Sequence, residues 1–115
     1  MRYMLLLYSD ESWQTEYTPE QLEASFKAHE EYSKWLAEKG WMAGGEPLRG
    51  TDQATTVRVR EGKTVTTDGP FAETKEALGG YYIVECENLD QAIEAATKCP
   101  SANGGSVEVR PIAPM

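Results

Sequence analysis

An α+β fold of the split βαβ type with an inserted β-hairpin is the class this sequence predicts, on three observations. The first is the order of elements along the chain: strand, long helix, hairpin and strand, second helix, strand. The second is size. A chain of 115 residues suits one domain spanning 1–115, and folding buries roughly 66% of the unfolded surface, enough for a core without disulfides or metals. The third is coverage. Two helices can shield only one face of the sheet, and the simplest cover for the other is a second copy of the same sheet, so a homodimer joined through that face is expected.

The run Tyr3 to Tyr8 lacks strict alternation and stops at Ser9-Asp10-Glu11-Ser12, which suits a central strand covered on both faces. Thr18 then offers an N-cap, Pro19 the first helical position and Gln21 the third residue of a capping box, and Gly40 ends the helix. Leu22, Phe26, His29, Ser33 and Leu36 recur at intervals of three or four and predict the buried stripe of that helix, with Lys27, Glu30, Lys34 and Glu38 largely facing water. The Gly-rich stretch 41–50 reads as an irregular crossing with a short strand.

Thr55 to Arg60 alternates Val57 and Val59 with Arg58 and Arg60, and Glu61-Gly62 turns it back into Lys63 to Thr67, a polar-faced hairpin. Asp68-Gly69-Pro70-Phe71 breaks the pattern before Leu78 to Cys86 resumes as a second central strand. Asn88, with Gln91 three residues on, starts a second helix that ends before Pro100, and Val107 and Val109 alternate with Glu108 and Arg110 in a last strand.

Nineteen acidic against eleven basic side chains leave a net charge of −8, spread evenly along the chain. A field of that sign repels phosphate backbones and anionic bilayers, so no direct nucleic-acid binding and no membrane association are expected. No window reaches the ~18 apolar residues of a membrane span, and the opening apolar run is too short for a secretory signal, which predicts a cytoplasmic address. Cys86 and Cys99 lack CxxC spacing and His neighbours and read as reduced packing thiols. With one histidine and no clustered cysteines no metal site is expected, and the glycine pairs lack nucleotide-cradle spacing, so no cofactor is expected either.

The segment Asp68-Gly69-Pro70-Phe71-Ala72-Glu73-Thr74-Lys75-Glu76, followed by Leu78-Gly79-Gly80-Tyr81-Tyr82, resembles the DGPF branch of the YCII-related (YciI-like) proteins. The resemblance extends to the first strand, the helix with His29 ahead of Gly40, Pro100, and the closing Gly105 to Pro111 segment. It implies a ferredoxin-like dimeric α+β barrel. It also implies two different functional classes: an enzyme using a His-Asp pair, and a module that accompanies extracytoplasmic-function sigma factors.

His29, the single histidine, can serve as a general acid or base because an unperturbed imidazole titrates near neutral pH, or it can be a core residue satisfied by a backbone group. Glu38 matches an acidic position of the YciI-like relatives. At ~100° per residue it lies about 180° around the helix from His29 and cannot pair with it there. Asp68 is therefore the expected orienting carboxylate, with a plain turn role as its alternative. Phe71 and Tyr81, with other aromatics, are candidates for an apolar ligand-binding wall or for core. Arg49 is a candidate clamp for the carboxylate of a small organic ligand. Arg58 and Arg60 are expected to be solvated.

Overall fold

The apolar run that follows Met1 forms β1 (Arg2–Ser9), and its alternation decides the layout of the chain. Tyr3, Leu5 and Leu7 are buried, whereas Met4, Leu6 and Tyr8 between them remain half-exposed. The computed structural model describes residues 1–114. After β1 come a single helical turn α1 (Trp13–Glu16), the long helix α2 (Pro19–Glu38), β2 (Met42–Pro47), the hairpin β3 (Thr55–Arg60) and β4 (Lys63–Asp68), β5 (Ala77–Glu85), α3 (Leu89–Lys98) and β6 (Ser106–Pro111).

Four strands pair antiparallel in the order β2-β5-β1-β6, and β3 pairs with β4 in a separate two-stranded sheet. The protein is thus an α+β fold of antiparallel sheets with three helices, and its strand order is that of a ferredoxin-like sheet. Tyr32 and Leu36 of α2 and Ala92, Ala95 and Ala96 of α3 meet Tyr3, Leu5, Leu7, Tyr82 and Val84 in one core. Both long helices therefore cover the same sheet face. The expectation that β1 is covered on both faces does not hold within the protomer, because among the described residues both long helices pack on the Tyr3, Leu5 and Leu7 side and leave Met4, Leu6, Tyr8, Tyr81 and Ile83 half-exposed.

Helix α2 begins with the full capping box: Gln21 N–H donates to Thr18 Oγ1 at 3.2 Å and Thr18 N–H to Gln21 Oε1 at 2.8 Å. Its far end is fixed by Lys39, whose ammonium lies 5.0 Å from the centre of the Trp41 ring and 3.3 Å from Glu94 of α3. Twenty residues give a helix about 30 Å long, and only its second half meets the core. Leu22 and Phe26, expected in the buried stripe, are 42% and 76% exposed because the first half overhangs the sheet.

The hairpin turns at Glu61 and Gly62, both with positive φ (52° and 76°), the conformation that matches strand twist in two-residue loops. Helix α3 is capped by Asn88, whose side chain accepts from Gln91 N–H. Cys86 and Cys99 are buried and unbridged. Among the described residues no helix is long and apolar enough to cross a membrane.

Candidate functional site

His29 lies halfway along α2, where the helix leaves the sheet, and its imidazole is half-buried. Nδ1 is 2.9 Å from the Tyr82 hydroxyl, and Nε2 is 3.5 Å from Ser101 Oγ in the turn after α3. The rings of His29 and Tyr82 run nearly parallel, 15° apart. Tyr82 packs edge-on against Tyr32, whose hydroxyl donates to Ala95 O at 2.6 Å. Three elements therefore converge on the imidazole: α2 carries it, β5 orients it, and the turn after α3 faces its second nitrogen.

Burial holds the His29 pKa below its ordinary value and keeps the ring neutral at pH 7. Burial also raises the Tyr82 phenol, an effect opposed by a hydrogen bond with Ser33. The Tyr82 hydroxyl can accept from Nδ1–H or donate to bare Nδ1, so its position fixes the ring while serving either tautomer. Nε2 is held only by a long contact and is the nitrogen available for a proton donor or acceptor.

The expected partners do not gather around this ring within the protomer. Among the described residues the hydrogen-bond partners of His29 are Tyr82 and Ser101, and no carboxylate joins them. Asp68 ends β4 opposite Thr55, exposed. Phe71, in the loop beyond it, is 80% exposed. Tyr81 projects from the sheet face opposite to Tyr82, as strand alternation demands, and donates to Glu46 Oε2 at 3.2 Å. That bond raises the Tyr81 phenol. Arg49 is exposed and reaches Gln53 Oε1 at 3.2 Å.

The YCII-related domain model matches residues 1–115. The chain belongs to the YCII-related family. It is also 38% identical to an uncharacterized protein of Rhizobium meliloti (strain 1021), over 98% of this chain and 93% of that protein.

In this YCII-related chain the loop after Asp68 has a second setting that sequence reasoning missed. Pro70, Ala72, Glu73, Thr74 and Ala77 line an open cavity of about 270 Å³ together with Glu11 and Thr51. Glu11 joins its walls: Oε2 accepts from Thr51 N–H at 2.9 Å, and Oε1 takes the Thr51 hydroxyl. The signal available in the sequence was the acidic pair Asp10-Glu11 directly after a central strand. Tyr82 was legible only as an aromatic, and Ser101 not at all, since its role depends on where the turn after α3 falls. Among the described residues no group of three or more His, Cys, Asp or Glu side chains is placed to hold a metal ion.

Proposed function

We propose that this YCII-related protein is a cytoplasmic homodimer that binds a small organic molecule beside His29 and moves a proton through that imidazole. The observation that carries the chemistry is the hydrogen bond of 2.9 Å between Tyr82 and Nδ1 of a half-buried ring whose pKa is lowered by burial. A neutral imidazole fixed through one nitrogen leaves the other free to take a proton at neutral pH. Tyr82 already orients the ring through Nδ1, so Asp68 is assigned to a place near the imidazole where its carboxylate stabilises the imidazolium formed at Nε2, with Phe71 as an apolar wall and Arg49 as a clamp for a carboxylate. Tyr81 belongs with the dimer interface.

The dimer is supported by shape. A compact monomer of 12.8 kDa exposes about 6,300 Å², whereas this protomer exposes 8313 Å². Its radius of gyration is 16.0 Å, against about 13 Å for a compact chain of this length. The excess of about 2,000 Å² is of the size that one protomer gives to an obligate interface. Met4, Leu6, Tyr8, Tyr81 and Ile83 on the open sheet face are the apolar centre such an interface requires.

A non-catalytic module that docks on an extracytoplasmic-function sigma factor is the second reading, favoured by the exposed Val57, Val59 and Phe71. Mass spectrometry of material released from the purified protein by denaturation separates the two. A small molecule released from the native chain and absent from His29→Ala supports the first. No released molecule, together with a His29 imidazole NMR signal unmoved by a panel of small organic acids, overturns it.

A further inference from the structure

We propose that Ser101 is a nucleophile activated by His29, and that the pair cleaves carboxylic esters with a short, uncharged acyl group. This rests on the proton-moving role given to His29 above and names the group whose proton it takes.

Side chains from three separate elements converge here. Ser101 Oγ lies 3.5 Å from Nε2 of His29, and Nδ1 lies 2.9 Å from the Tyr82 hydroxyl. A nucleophile, a base and a third group that holds the base are the constellation of covalent catalysis, and the contact between nucleophile and base is often long before substrate binds. With Nδ1–H donated to Tyr82, the lone pair of Nε2 faces the Ser101 hydroxyl. Tyr82 is then a positioning residue.

The local backbone sets Ser101 in place. It is the middle residue of a single 3₁₀ turn, Pro100–Ala102, closed by Ala102 N–H on Cys99 O at 3.0 Å and Asn103 N–H on Pro100 O at 3.1 Å. A serine in a turn ordinarily bonds to nearby backbone. Among the described residues Ser101 Oγ has no backbone partner and is turned to a ring 72 residues away in the chain. Its neighbour Cys99 is 2% exposed, and burial raises that thiol and keeps it protonated. Ser101 is half-exposed, so it is the nucleophile that a substrate can reach.

Nε2 takes the Ser101 proton as Oγ bonds to the ester carbonyl carbon. That proton passes to the alkoxide that leaves as the C–O bond breaks, and water then attacks the acyl-serine in the same way and releases the carboxylic acid. One residue beyond Ser101, Ala102 enters the lining of an open groove between α3 and β6 with Ile93, Ala96, Thr97, Val107 and Val109, all uncharged. Its volume of about 290 Å³ is at the lower limit for small-molecule pockets, which suits a short apolar acyl chain.

The experiment treats the purified full-length chain with an alkyl fluorophosphonate and locates the adduct by peptide mass spectrometry, with hydrolysis of p-nitrophenyl butyrate followed in parallel. The expected result is an adduct on Ser101, formed at least ~100-fold more slowly in a His29→Asn variant of native circular dichroism, and ester turnover that Ser101→Ala abolishes. The adduct is read on the native chain and does not depend on a variant folding. No adduct on Ser101 overturns the nucleophile, an equal rate in His29→Asn overturns its base, and an adduct without turnover overturns the ester class. If Ser101 stays unlabelled while the His29 imidazole NMR signal still moves with small organic acids, the proton-transfer reading above stands alone. An unlabelled Ser101 with an unmoved signal overturns both.

Discussion

Tyr82 and His29 are joined across the layers of the fold: a hydroxyl from the middle of β5 lies 2.9 Å from Nδ1 of an imidazole on α2. The bond ties the orientation of the ring to the register of the sheet. Tyr82→Phe keeps the ring packing and removes the bond. A loss of about 1 kcal/mol in stability is expected, read as a lower urea midpoint. Because His29 is the single histidine, its imidazole protons give a clean NMR report, and they are expected to shift and broaden. Unmoved imidazole resonances in Tyr82→Phe would show that the hydroxyl does not orient the ring.

Burial lowers the His29 pKa, which makes stability depend on pH in a fixed direction. Below the unfolded value of about 6.5 the unfolded chain takes up the proton before the folded one does. The contribution is therefore fully present above pH 6.5 or so and is lost as pH falls through the folded pKa. Urea midpoints between pH 7.5 and 5 are expected to fall less steeply for His29→Asn than for the native chain. Equal slopes would mean that the imidazole is hydrated in the folded state.

Gly45 of β2 leaves no room for a side chain beneath Tyr82. A Cβ there would sit 2.8 Å from Tyr82 Cδ1 and 2.8 Å from the Tyr81 carbonyl oxygen. Since that carbonyl is backbone, the strand or the ring must move. Gly45→Ala is expected to cost about 1–3 kcal/mol and to move the His29 imidazole signal without any change near the ring itself. A stability loss with that signal unmoved would place the adjustment in β2 alone.

The strands and helices were legible because their signals are local. Thr18, Pro19 and Gln21 fix where α2 starts, and Glu61-Gly62 fixes the turn of the hairpin. The family resemblance was legible in the segment after Asp68, and the match over residues 1–115 agrees with it. What periodicity could not give was the point at which α2 runs off the sheet: Leu22 and Leu36 read alike, but one is 42% exposed and the other fully buried. Nor could it tell which tyrosine of the Tyr81-Tyr82 pair faces His29, because a strand sends neighbours to opposite faces and one residue of register decides. The bulge between Leu7 and Tyr8, where β5 slips past β1, is a feature of that kind.

Leu6 tests the open sheet face with the least disturbance to the protomer. It stands opposite Tyr81 on one side and Glu108 on the other, on the face that no helix covers. In a lone protomer a carboxylate at that position is hydrated, so Leu6→Glu is expected to keep the far-UV circular dichroism of the native chain. In the proposed dimer the same carboxylate is buried in the interface, at a cost of about 3 kcal/mol or more, which weakens association at least ~100-fold. Sedimentation over a range of concentrations is expected to show a native mass of twice 12.8 kDa and a Leu6→Glu variant that dissociates within the micromolar range. The same association constant for both chains would mean that the protomers do not meet through this face.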